Sequence, residues 1–296
     1  MKYTKPPLTS EQQANLLISR GLIADKDILI ERLESVNYYR LSTYLYTFRL
    51  PGDTYKSVTT LDKVWKRYTF DRQLRLIVLD AIERAEVALK TQITQFFSYN
   101  HGPFGHFDKS KFDSSMSDND YNNFISDIRG KAETSKEVFV EHFRNTYDEF
   151  PELPLWVAVE IMSFGNVFTL YRNMKNHDKR KISFKYNIAG KILESWIKSL
   201  NYTRNICAHH SRLWNRELAI RPYIPDYKNH PEWHSPEPID NKRIFAVLSL
   251  LSYLITYVAP QSKWNERLKN LLNDYNEIPI ADMGFKGNWQ DYDFWK

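Results

Sequence analysis

The sequence has one cysteine, Cys207. A single thiol excludes an internal disulfide framework and a zinc site built on cysteines, and it fits a reducing cytoplasm. Glycine is also scarce, at 9 of 296 residues. Neither G-x-x-x-x-G-K-[ST] nor G-x-G-x-x-G occurs, so nucleotide-binding loops of those kinds are excluded. The opening stretch, MKYTKPPLTSEQQ, has no apolar core for a signal peptide. One apolar run, residues 244–259, tests for a membrane span. It is shorter than the roughly 20 residues such a helix needs, and it carries Ser, Thr and Tyr. It reads as a helix buried in a bundle, and no membrane association is expected. There is no internal repeat and no low-complexity tract.

What is present points to a helical globular protein. Hydrophobic residues make up 42% and charged residues 26%, which is ordinary globular usage. Aromatics are abundant at 15%, and the formal net charge is +5, which permits an anionic partner such as nucleic acid. The expected fold is an all-α helical bundle with an N-terminal helical extension over 1–60. A main helical domain covers 61–275 with a loop-rich insertion at about 100–153, and an aromatic tail covers 276–296. Thr9 or Ser10 can cap a first helix over 9–19 that ends at Gly21, and a second helix covers 26–36. The Tyr-rich stretch NYYRLSTYLYTF fits helix or strand. Leu41, Tyr44 and Leu45 have helical spacing and favour helix. From Leu61 to about Tyr99, Leu74, Ile77, Val78, Ala81, Ile82, Ala85, Ala88, Leu89, Ile93 and Phe96 recur every three or four residues, the mark of a core-facing stripe. Arg72, Arg75, Glu83, Arg84, Glu86 and Lys90 occupy its other face, with Glu86 and Lys90 as an i,i+4 pair. Further helices are expected at 136–148, from Pro154 through Met174, from about 189 to 209, at 242–259 and at 263–273. Gly165, inside the helix that follows Pro154, suggests close packing. Residues 215–240 form a long connection rich in Pro and His, and such loops are often functional.

The stretch NYTRNICAHHSRLWN, at the end of the helix that begins near 189, combines polar chemistry with apolar spacing. Ile192, Trp196, Leu200 and Cys207 fall near one stripe. Asn205 and His209 are four apart and project from one face. Arg204 lies about 100° around from Asn205, so Arg204 and His209 flank a common concavity. RNA cleavage needs these groups and no metal: the 2′-hydroxyl loses a proton, the 5′-oxygen gains one, and the phosphorane between them gathers negative charge. Histidine suits the proton transfers, and arginine suits the phosphorane. Asn205 can orient the imidazole or the phosphate. One histidine does not serve both transfers. Either His210 helps as a supporting residue or a second copy of the motif does; rotated about 100° from His209 if the helix continues, His210 points elsewhere, which favours the second copy. A two-fold homodimer would instead bring two copies of Arg204, Asn205 and His209 face to face.

RNICAHHSRLWN resembles the signature of the Abi-like proteins, in particular the AbiD/AbiF group of bacterial abortive-infection phage-defence proteins. Its Arg-Asn…His core is similar to the active-site motif of the HEPN ribonuclease superfamily. The stretches KPPLTSEQQANLLISRGL, NYYRLSTYLYTFR, YTFDRQLRLIVLDAIERAEVALKTQI, HGPFGHFD and LPLWVAVEIMSFGNVFTLYRNM also resemble that group, so the likeness covers nearly the whole chain. It implies a HEPN-like bundle and a metal-independent endoribonuclease toxin with a composite site at a dimer interface, leaving a 2′,3′-cyclic phosphate. It also implies Arg204 and His209 as the catalytic pair, Asn205 as a supporting polar residue, no cofactor, and for some members a small noncoding RNA that restrains them.

Other readings stand beside these. Arg204 and His209 can simply favour a helix C-terminus, at about 0.3–1 kcal/mol. His209 and His210 make a poor metal pair, since adjacent helical positions diverge and no carboxylate pair completes a set. Glu83 and Glu86 fit surface ion pairing. Glu160, in the apolar stretch WVAVEIMSFG, would need a partner if buried, and Arg204 is one. Arg72, Arg75, Arg84, Lys90, Arg212, Arg216 and Arg221 are candidates to bind RNA phosphates. Tyr38, Tyr39, Tyr223 and Trp214 are candidates to stack bases. The 215–240 loop is the expected place to hold substrate or a regulatory RNA. A non-catalytic RNA-binding or protein-interaction module on the same scaffold is the alternative to the nuclease.

Overall fold

A computed structural model describes residues 2, 4 and 6–296. Met1, Tyr3 and Lys5, part of the opening stretch that lacks a signal-peptide core, lie outside the described residues. Among the described residues the chain is all-α, 65% helical and without strands.

Twelve helices follow one another among the described residues: α1 Ser10–Ser19, α2 Lys26–Val36, α3 Tyr38–Leu45, α4 Leu61–His101, α5 Asp118–Thr134, α6 Val138–Thr146, α7 Leu155–Ile161, α8 Phe164–Asn173, α9 Asn176–Phe184, α10 Gly190–Ala208, α11 Ile244–Val258 and α12 Trp264–Asp274. Local sequence explains several boundaries. Thr9 and Gln12 form a reciprocal capping box at the start of α1. Gly21 turns the chain at φ +99°, a backbone conformation that side chains disfavour.

The 41-residue α4 is the axis of the molecule. It packs against α3, α7, α9, α10, α11 and α12. Phe70, Leu74, Val78, Ala81, Ile82, Ala85, Leu89, Ile93 and Phe97 are buried along it, while Ile77, Ala88 and Phe96 are only half-buried at the edge of the stripe. Glu86 and Lys90 pair at 3.3 Å as their spacing requires. Arg75, assigned by the sequence to the outer face, is buried instead. The reason is Asp71, one turn earlier on the buried side, which holds its guanidinium at 2.5 Å.

Three expectations change. The insertion at 100–153 contains the 17-residue α5, which buries Phe124, Ile125, Ile128 and Ala132. The single helix expected after Pro154 is two, α7 and α8, because Ser163 and Asn166 form a capping box that starts α8. Lys90 of α4 donates to the Met162 carbonyl at the break, at 2.9 Å. A Cβ on Gly165 would meet only ordinary contacts, the nearest at 3.6 Å, so this glycine does not mark close packing. The aromatic tail docks: Trp289, Tyr292, Phe294 and Trp295 are buried, Trp295 donates to Ser249 Oγ at 3.3 Å, and its carbonyl accepts from Lys269 at 2.6 Å. α11 is buried from Ile244 to Ile255, and among the described residues no helix is long and apolar enough to cross a membrane.

Candidate functional site

α10 divides into a packed body and a polar end. Leu193, Trp196, Ile197 and Leu200 are fully buried. Trp196 donates its indole N–H to the Tyr223 carbonyl at 2.8 Å, and Ser199 donates to the Ile220 carbonyl at 3.2 Å. These bonds lay the connection after residue 215 along the body of the helix. In the last turn only Thr203, Ile206 and Cys207 face inward, and Arg204, Asn205, Ala208, His209 and His210 are exposed. Burial pushes the Cys207 thiol up to about 12, so it is protonated at neutral pH and unsuited to nucleophilic work.

The helix closes on a Schellman motif. Ser211 N–H donates to the Ile206 carbonyl at 2.9 Å and His210 N–H to the Cys207 carbonyl at 3.0 Å. The position after the cap, where glycine is usual, is His210 at φ +55°. An L-residue in this region costs about 1–2 kcal/mol. His210 therefore does not continue the helix.

The segment that follows is fixed by buried charge. Asp71, fully buried, accepts the Trp214 N–H at 2.6 Å and the Leu213 N–H at 3.1 Å. It also accepts the Tyr44 hydroxyl at 2.6 Å. Burial pushes the Asp71 carboxyl up, while Arg75 and these donors pull the other way. Burial likewise raises the Tyr44 phenol, with the Asp71 charge adding to it, so Tyr44 serves as a donor. Arg75 reaches the Ser211 carbonyl at 3.5 Å, and Arg40 reaches the His210 carbonyl at 2.6 Å. Asp71, Arg75 and Arg40 thus hold residues 210–214 by their backbone, with Tyr44 fixing Asp71. None of these four roles was assigned from the sequence. A signal for Asp71 existed: it shares the buried register of α4 with Leu74 and Val78, with Arg75 one turn on.

The other candidates separate. Arg204 Nη1 donates to Asn205 Oδ1 at 3.4 Å, and no hydrogen bond joins either side chain to His209. His209 and His210 line a groove of about 1270 Å³ together with Arg212, Arg216 and parts of α1 and α3. Arg204 and Asn205 do not line it. Arg221 is on a different groove, beside α8 and α9, and pairs with Glu217 at 2.6 Å. Trp214 is fully buried, with Arg67 over its ring at 5.0 Å. It is a core residue and has no face for a base. Glu160 is exposed and makes no ion pair with Arg204. Trp156, one turn earlier, is also exposed, so this face of α7 points outward and Glu160 needs no buried partner. The 215–240 connection is anchored at Trp233, which is fully buried and lies 5.2 Å from Trp196, while Tyr223 and Tyr227 on it are exposed. Among the described residues, no group of three or more His, Cys, Asp or Glu side chains is placed to hold a metal ion.

A family model described as Abi-like protein matches residues 31–215. That span begins in α2 and ends just past Trp214, so it contains the whole of the Asp71 anchor and the polar end of α10. No curated protein and no solved structure matches the chain.

Proposed function

The chain belongs to the Abi-like protein family, and on that premise we propose that it is a metal-independent endoribonuclease of bacterial phage defence, a HEPN-type toxin of abortive infection. Its site is the Arg204, Asn205 and His209 end of α10, completed by a second copy of the chain. The observation that carries this reading is the exposure of all three side chains at the end of a helix whose body is buried.

The chemistry follows from the residue types. An imidazole takes the proton of the RNA 2′-hydroxyl as that oxygen bonds to phosphorus. The guanidinium of Arg204 stabilises the phosphorane. The P–O5′ bond breaks, and the leaving oxygen gains a proton from the imidazole of the second copy. The products are a 2′,3′-cyclic phosphate and a 5′-hydroxyl. One imidazole does not serve both proton transfers at once, so in this reading the second copy supplies the proton donor. A small noncoding RNA that restrains the toxin fits the same anionic chemistry.

The test is incubation of the purified protein with RNA in EDTA. Expected are fragments ending in a 2′,3′-cyclic phosphate, lost in Arg204→Ala and in His209→Ala. Salt-sensitive RNA binding without fragments, unchanged in both variants, would mean a non-catalytic RNA-binding module.

A further inference from the structure

Resting on that ribonuclease reading, we infer that unpaired RNA runs through the groove between α1, α3 and the segment from His209 to Arg216. Tyr39 and Tyr46 are its stacking platforms, and the groove's arginines are its phosphate contacts.

Four observations converge. The first is charge. Arg20, Arg40, Arg49, Arg212 and Arg216 line this groove, and Asp53 is the one carboxylate among its described lining residues. Five arginines against a single carboxylate make the groove strongly cationic. The second is available donors. Arg40 uses one N–H on the His210 carbonyl, Arg20 bonds the Tyr38 hydroxyl at 3.2 Å and pairs with Asp53 at 3.5 Å, Arg49 also pairs with Asp53, and Arg212 and Arg216 each give one N–H to a carbonyl. A guanidinium has five such donors in a fork suited to phosphate, so most remain unused.

The third is the pair of exposed rings. Tyr39 is 73% and Tyr46 66% exposed, although Leu41, Tyr44 and Leu45 between them are buried. They are seven residues apart on one side of α3 and its continuation, roughly 10 Å along the axis. That distance separates two bases that are not adjacent and excludes one ring pair sharing a single base. Base–aromatic stacking of this kind serves single strands, whose bases expose their faces, and does not serve a duplex. The fourth is size and position. At about 1270 Å³ the groove exceeds the roughly 300–1,000 Å³ that suits a small molecule, and His209 lies at its edge. The groove beside α8 and α9 lacks this combination: its five basic residues face Asp120, Asp127 and Glu194, and Tyr223 is its one tyrosine.

The test uses the full chain carrying His209→Ala, so that RNA is not consumed, and a fluorescent mixed-sequence 20-nucleotide RNA read by anisotropy in EDTA. Adding Tyr39→Ala and Tyr46→Ala is expected to weaken binding at least ten-fold. Adding Tyr39→Phe and Tyr46→Phe instead restores binding to within two-fold, and adding Tyr223→Ala leaves it unchanged. A duplex of the same length competes poorly. Equal affinity with and without the two alanines overturns the inference, as does equal weakening by the phenylalanine pair. If the wild-type protein cleaves RNA while the alanine pair binds normally, the groove assignment fails and the nuclease stands. If the phenylalanine and alanine pairs behave as expected while the wild-type protein leaves RNA intact, the nuclease fails and the groove stands.

Discussion

The two parts of α10 are built to different ends. Along the body, Leu193, Trp196, Ile197 and Leu200 are fully buried, and the polar side chains serve packing, as when Ser199 bonds the Ile220 carbonyl at 3.2 Å. In the last turn Arg204, Asn205 and His209 face solvent. The fold does not need them there, since the Schellman motif closes the helix through backbone bonds alone. The turn is nevertheless held with care. A buried carboxylate and two arginines grip the backbone that follows it, and His210 accepts a left-handed conformation that glycine would adopt freely. On the proposed reading, stability and chemistry are separable within one helix, and substitutions at its two parts should separate them in measurement.

The largest effect is expected at the exposed end. Arg204→Ala should lower RNA cleavage about 10²–10³-fold, the cost of losing one charge-stabilising donor, with an unchanged melting temperature. Arg204→Lys should recover little, because an ammonium lacks the fork. If its melting temperature falls instead, Arg204 belongs to the packed part and the comparison breaks.

Asp71→Asn links the two parts. It leaves Arg75 buried without its counter-charge, which costs about 3–5 kcal/mol, visible in denaturant melts. Cleavage should fall with it, because the backbone of residues 211–214 loses its anchor.

A third prediction contrasts a buried histidine with the exposed pair. Burial pushes His106 down to about 4, whereas a histidine in the unfolded chain titrates near 6.5. Between these values the unfolded chain binds a proton that the native protein does not, so stability is full above pH 6.5 and is lost as pH falls toward 4. The loss between pH 7 and pH 5 should be about 2 kcal/mol. His106→Leu, which has no proton to gain, should flatten that slope, and an equally steep slope in that variant would contradict the assignment.

The smallest effect is at the cap. His210→Gly should leave stability equal or raise it by about 0.5–1 kcal/mol, since relief of the left-handed conformation is partly offset by glycine's freedom in the unfolded chain. A loss of more than about 1 kcal/mol would mean that the imidazole packs, which its exposure argues against.

Where periodicity was strong the sequence was a good guide. α4, α10 and α11 follow their apolar stripes, and Thr9, one of the two expected caps, starts α1. Failures have physical causes. α5 is missed because its four buried residues sit in a polar background, DNDYNNFISDIRGKAET. The break between α7 and α8 is hidden by unbroken apolar composition, although Ser163 and Asn166 have capping-box spacing. In the candidate site, the exposed Arg204, Asn205 and His209 were legible as polar groups on an apolar helix. Trp214 and Glu160 were assigned from their neighbours in the chain, when the register of Trp156 with Glu160 and the Asp71 bond to Trp214 decide their places. Tyr46, Arg20, Arg40 and Arg49 reach the groove through the packing of α1 on α2, α2 on α3 and α3 on α4, which no local pattern encodes.

The most direct test is the rate of RNA cleavage by His209→Ala in EDTA, measured beside its melting temperature. The account predicts at least a hundred-fold loss of rate at an unchanged melting temperature. Undiminished cleavage, or a loss that appears only together with a lower melting temperature, would contradict it.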